Sequence, residues 1–81
     1  MKAKVYVSLK RTVLDPQGKT ILSALRGLGH AQISDVRQGK FFEIALDGSL
    51  GEQQAKEEIE RIARDVLTNP VIEEFSYQIE E

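Results

Sequence analysis

Eighty-one residues, a hydrophobic fraction of 41 %, a charged fraction of 30 % and no cysteine describe one ordinary soluble domain that neither disulfides nor thiolate zinc sites can reinforce. A net charge of −2 and a pI near 5.4 argue against a nucleic-acid binder, which needs a basic footprint. A domain this short buries only about 60–65 % of its unfolded surface, and the single His30 cannot build a histidine-rich metal site, so a partner subunit is the remaining source of reinforcement.

The chain opens on an alternation in which Ala3, Val5, Val7 and Leu9 are interleaved with Lys2, Lys4, Tyr6, Ser8 and Lys10, the period of a half-buried strand. No apolar signal-peptide core follows Met1 and no apolar run reaches membrane length, so a cytoplasmic protein with no membrane partner is expected. Asp15-Pro16-Gln17-Gly18 is a helix entry, with Asp15 as N-cap and proline at the first helical position. Ile21, Leu22, Ala24, Leu25 and Leu28 then give a helix one apolar face, and Gly27 or Gly29 ends it. A second strand is expected over 31–37, with imperfect parity at Ile33 and Val36. Gln38-Gly39-Lys40 reads as a hairpin turn using positive φ at Gly39, and a third strand follows over 41–46, with Phe42, Ile44 and Leu46 on one face. After the loop Asp47-Gly48-Ser49, a second helix carries Ala55, Ile59, Ile62, Ala63, Val66 and Leu67 inward and ends at Thr68-Asn69-Pro70. The last strand runs over 71–79.

The order is β-α-β-β-α-β, an α+β class in one domain spanning 1–81, and it reads as a pseudo-repeat: Val5-Val7-Leu9 corresponds to Phe42-Ile44-Leu46. Two such halves predict a ferredoxin-like arrangement, both helices on one face of a four-stranded antiparallel sheet. With Val5 and Val7 facing the helices, Tyr6 points to the bare face, joined by Phe41 and Ile72, or by Phe75 and Tyr77 if the register differs. Aromatics on a bare sheet face predict a homo-oligomer, dimer or tetramer, that packs sheet to sheet or edge to edge.

Catalytic equipment is scarce. No serine sits in a nucleophile-elbow context, and Asp15, next to Pro16, is better explained as a cap than as a base. His30 just past a helix end suits dipole capping, and Glu73 and Glu74 point to opposite faces of a strand. Glu52, Glu57, Glu58 and Glu60 lie with Lys56 and Arg61 on a solvated helix surface, so no metal site is expected. Gly27-Leu28-Gly29 and Gly39-Lys40 lack the strand–loop–helix context of a phosphate loop, and Gly18 offers no more anion affinity than any helix start.

Three segments together go further: 9–18 (Leu-Lys-Arg-Thr-Val-Leu-Asp-Pro-Gln-Gly), 36–40 (Val-Arg-Gln-Gly-Lys) and 67–73 (Leu-Thr-Asn-Pro-Val-Ile-Glu). In this order and spacing, over essentially the whole chain, they resemble the PurS family, the small subunits of phosphoribosylformylglycinamidine synthase. Thr68 departs from the family, which more often has alanine there, and Arg11-Thr12 is a loose match. The resemblance implies a non-catalytic subunit in purine biosynthesis that bridges a PurL-like synthetase, using ATP and Mg²⁺, and a PurQ-like amidotransferase that releases ammonia from glutamine. It implies no cofactor bound by this chain itself. Partner contacts are then expected at the strand–helix corner (Asp15, Pro16, Gln17, Gly18), at the expected hairpin tip (Arg37, Gly39, Lys40) and at Asn69, and the homo-oligomer contact at Tyr6, Phe41 and Ile72. The competing reading is a small ACT-like module that senses a metabolite between subunits.

Overall fold

The computed structural model describes residues 1–80. Strand β1 (Lys2–Leu9) is the centre of a three-stranded antiparallel sheet, flanked by β2 (Gly39–Ala45) and β3 (Glu73–Glu80). The alternation of β1 sends Ala3, Val5 and Val7 to one face, where each is at most 1 % exposed. Register then sets which neighbours share that face: Val5 stands opposite Phe42 and Tyr77, Ala3 opposite Ile44 and Ile79, and Val7 opposite Phe75. Helix α2 (Glu52–Ile62) covers this layer through Ala55 and Ile59, with Ala63 one turn on; their four-residue spacing stacks them along one stripe.

A π-helical turn, Ala63–Leu67, continues α2. It takes more residues per turn than an α-helix, so Leu67 stays with the core while Val66, expected inside, is 73 % exposed. Thr68 follows in extended conformation, buried, and its Oγ1 has no hydrogen-bond partner. An unsatisfied buried hydroxyl costs about 1–3 kcal/mol, so Thr68→Val, which keeps the shape and removes the orphan, should raise stability by about 1 kcal/mol. A urea midpoint that moves up with an unchanged slope is the result to look for.

Helix α1 (Pro16–Gly27) begins and ends as its sequence directs. The Asp15 carboxylate caps the Gly18 N–H, Pro16 opens the helix, and Gly29 at φ 99° closes it. The Gly29 N–H donates to the Arg26 carbonyl and the His30 N–H to that of Leu25, a Schellman ending. The backbone of His30, not its imidazole, therefore does the capping.

The α+β class, the two helices and the antiparallel sheet stand, and two details differ within one chain. Residues 31–38 join no sheet: after a turn at Ala31-Gln32 the chain passes α1 without regular secondary structure and enters β2 without reversing at Gly39. The reason is local. The Gln38 N–H is held by the Asp15 carboxylate, and the Val36 carbonyl lies directly over Gly18, so this stretch is tied to α1 and not folded back along β2. Nor does α1 pack on the sheet beside α2; with residues 10–38 it forms an arm that leaves the sheet at the Leu9 end. The chain is accordingly 51 Å long with a radius of gyration of 16.2 Å, against about 12 Å for a compact domain of this length.

Candidate functional site

The three motif segments meet where the arm joins the sheet. Asp15 is 4 % exposed, and both of its oxygens are used: Oδ1 accepts from the Gly18 N–H at 3.0 Å and Oδ2 from the Gln38 N–H at 2.7 Å. The Gln38 N–H, then that of Gly18, hold the carboxyl below the usual aspartate range against the opposing effect of burial, with the Arg37 charge adding to them. Arg37 clasps the loop that links β1 to α1. Its Nη2 donates to the carbonyls of Lys10 at 2.9 Å and Val13 at 3.0 Å, with Leu9 at 3.4 Å. Several carbonyls converging on one side chain suit a guanidinium with its five donors.

Two glycines serve close approach. A Cβ on Gly18 would lie 2.2 Å from the Val36 carbonyl oxygen, and one on Gly39 would lie 2.5 Å from that of Val7. Gly39 is the first residue of β2, paired with Ser8, and its φ is not positive, so the expected hairpin tip at 38–40 is a strand entry instead. The third segment builds a turn around Asn69. Its Oδ1 accepts from the Val71 N–H at 3.1 Å, its carbonyl accepts from the Glu73 N–H at 2.7 Å, and its own N–H donates to the Glu73 carboxylate at 2.7 Å. Glu73 in turn faces Lys40 at 3.5 Å.

Between these segments lies a cleft of about 260 Å³, walled by Leu9, Asp15, Gln17, Gln38, Lys40 and Glu73. Of the residues expected to contact partners, Asp15, Gln17, Gly39 and Lys40 line it. Pro16 borders a shallower hollow with Gln17, Thr20 and Ile21, Gly18 and Arg37 hold the wall from behind, and Asn69 reaches the cleft through Glu73. Sequence reasoning passed over Gln38 and the structural part of Glu73. The spacing Asn69-Pro70-x-x-Glu73, a turn closed by its own carboxylate, was the available signal. Main-chain-like amides, one ammonium and one carboxylate equip this cleft for hydrogen-bonded recognition of a polypeptide edge or a small polar group. Among the described residues no three His, Asp or Glu stand together as a metal site.

The opposite sheet face carries Tyr6 and Phe41 in contact, ring centroids 5.1 Å apart, at 43 % and 51 % exposure. They are flanked by the ion pairs Lys2–Glu43 and Lys4–Glu80, each 3.1 Å. Phe75 and Tyr77 lie on the α2 side, which rules out the alternative register; Ile72, 39 % exposed, sits in the turn before β3, where its carbonyl accepts from the Lys10 N–H.

Asp15 also sets a pH dependence. Its folded pKa lies below the unfolded value of about 3.9, so the stability it contributes is present above that pH and is lost as pH falls through the folded pKa. Asp15→Asn keeps one acceptor but loses the charge. It should lower Tm at pH 7 by roughly 5–10 °C and leave a shallower loss of Tm below about pH 4. The residual acid limb belongs in part to Asp47, whose carboxyl the Ser49 hydroxyl and N–H likewise hold down. Melting curves across the acid range check both expectations.

Comparison with known proteins gives a consistent result. The family model PurS, described as phosphoribosylformylglycinamidine (FGAM) synthase, matches residues 2–81. The phosphoribosylformylglycinamidine synthase subunit PurS of Mycobacterium leprae is 45 % identical over 75 residues, covering 93 % of this chain and 90 % of that protein. The crystal structure of Methanocaldococcus jannaschii PurS, one of the subunits of formylglycinamide ribonucleotide amidotransferase in the purine biosynthetic pathway, superposes with a TM-score of 0.87 at 36 % identity, covering 99 % of this chain and 95 % of that one. A chain of the PurLQS structure from Thermotoga maritima superposes with a TM-score of 0.86 at 27 % identity, covering 95 % and 93 %.

Proposed function

The chain belongs to the PurS family, a subunit of FGAM synthase in purine biosynthesis, and on that premise we propose that it is the non-catalytic assembly subunit of the complex. In this reading it works in the cytoplasm as a homo-oligomer and bridges a PurL-like synthetase and a PurQ-like glutamine amidotransferase. ATP, Mg²⁺ and glutamine are handled by those partners. The observation that carries the reading is the match to PurS subunits along essentially the full length of both chains, and the PurLQS neighbour supports a common assembly. The physical need for such a subunit is water exclusion. Ammonia released into bulk water at neutral pH is protonated and ceases to be a nucleophile, so the two active sites must be docked while it passes. The cleft at the arm junction, with Asp15, Gln17, Gly39 and Lys40, is the partner-contact surface in this reading, supported by Asn69 through Glu73.

The test is reconstitution from purified subunits. Glutamine-dependent turnover by the two larger subunits should require this chain, while turnover driven by added ammonium salt should not. Equal glutamine-dependent rates with and without the chain would overturn the proposal, as would a tight stoichiometric calorimetric response of the free chain to an amino acid or nucleotide.

A further inference from the structure

The eleven lysines and arginines fall into two groups that differ in what they face. Each of the six outside the arm stands within 3.1–3.7 Å of a carboxylate. Among the described residues, none of the five on the arm, Lys10, Arg11, Lys19, Arg26 and Arg37, has an acidic partner. Arg26 and Arg37 donate to backbone carbonyls, which satisfy donors but leave the charge uncompensated. Arg11 and Lys19 are exposed and Lys10 is half-buried.

The arm's own carboxylates do not offset this charge locally. Asp15 accepts from backbone N–H groups with both oxygens, and Asp35 enters no ion pair among the described residues. The arm is net +3, whereas the rest of the chain, with six basic and eleven acidic residues, is net −5. A single unpaired surface lysine is ordinary, because exposed ion pairs contribute little to stability. Segregation is different: a patch of one sign sets up a field that reaches about 10 Å into physiological salt and steers whatever approaches.

Position indicates what the patch meets. Lys10 and Arg11 follow Leu9, a wall of the cleft, and Lys19 lies in the first turn of α1 beside Gln17, which walls both the cleft and the hollow next to it. A nucleic acid is disfavoured, since the net −5 remainder repels a polyanion. The carboxylates left unpaired on the chain itself are spread over the loop after β2, α2 and β3, so a second copy offers no matching patch.

We propose that the arm is a cationic docking surface, on which Lys10, Arg11 and Lys19 meet a carboxylate-rich surface of the larger subunit that engages the cleft and accelerate that encounter. The inference rests on the cleft being the partner contact and adds the chemistry of the surface that fits beside it. Charges at the border of an interface act chiefly on the association rate and its salt dependence, so those are the quantities to measure.

The experiment follows association of the full chain with the two larger subunits, in ATP, Mg²⁺ and glutamine, by stopped-flow. The variant Lys10→Glu, Arg11→Glu, Lys19→Glu should associate about 10- to 100-fold more slowly at about 0.1 M salt, with dissociation changed far less. Raising salt to about 1 M shortens the screening length to about 3 Å, so it should slow the wild type, speed the variant and bring the two rates together. The control Lys56→Glu, Arg61→Glu, Arg64→Glu makes the same change in net charge on the α2 side and should stay within about 3-fold of wild type. If the reversed chain melts early, Lys10→Gln, Arg11→Gln, Lys19→Gln, which adds no negative charge, replaces it and should slow association about 3- to 10-fold. Association of the arm variant at the wild-type rate overturns the proposal, as does equal slowing by the control. So does a changed mass of the arm variant alone, which would place these charges between copies, or binding of the wild-type chain to an RNA oligonucleotide. Wild-type association rates in a complex that still needs the chain for glutamine-dependent turnover would remove the cationic surface and leave the bridging reading standing; no association by the wild type would remove both.

Discussion

Replacing Ile59 with alanine is expected to cost about 3–4 kcal/mol, a large share of the 5–15 kcal/mol by which a small domain is stable. Ile59 is fully buried and is the largest such side chain in the core, set between Ala55 and Ala63 against Val5 and Val7. Its neighbours one turn away on the helix are alanines, and neither is long enough to refill the space. Only α2 covers this layer within the chain, so the loss falls on the one helix–sheet layer that the chain forms by itself. Chemical denaturation should show the midpoint fall with it, and Val66→Ala, at a position 73 % exposed in the π-turn, should stay within about 0.5 kcal/mol of the wild type. An Ile59→Ala variant as stable as wild type would mean that α2 is not the element that closes the core.

Gly18→Ala is expected to be the most damaging change at the arm junction, at roughly 2–3 kcal/mol, although alanine is ordinarily the better helix former. The added methyl would stand 2.2 Å from the Val36 carbonyl oxygen and 2.9 Å from the Asp15 carboxylate. The first obstacle is backbone, which cannot swing aside as the end of a long side chain can. Either residues 36–38 lift off α1, breaking the Gln38–Asp15 hydrogen bond, or the first turn of the helix unwinds. Both routes open the wall of the cleft, so glutamine-dependent turnover in the reconstituted complex should fall with stability. The control is Gly27→Ala, where a Cβ meets nothing within 4 Å and φ is not positive; it should be neutral or mildly stabilising. Equal behaviour of the two alanine variants would remove close packing as the reason for glycine at position 18.

Much of this was legible before any coordinates. Asp15-Pro16 marked the start of α1 and Gly27 or Gly29 its end, of which Gly29 is the one at positive φ, because capping chemistry is local and needs only a few consecutive residues. The period of two in β1 and the four-residue spacing of Ala55, Ile59 and Ala63 identified the core face for the same reason. The resemblance of the three motif segments named the family. The geometry adds why they travel together: Asp15 reaches Gln38, Arg37 reaches the loop before Asp15, and Glu73 joins Asn69 to Lys40.

What the sequence could not decide was where the chain turns back. Residues 31–37 have strand character, and Gly39 has the composition of a turn, but a strand exists only where a second strand offers its hydrogen bonds. Asp15 captures the Gln38 N–H from 23 positions away, and with the Val36 carbonyl over Gly18 and the Arg37 bonds to the loop before Asp15 it ties residues 36–38 to the arm and leads the chain straight on into β2. The pattern of apolar residues thus determined which elements form and which of their faces seek cover. Only the tertiary structure decided that one helix finds its cover within the chain and the other does not, because that depends on distances between segments remote in sequence.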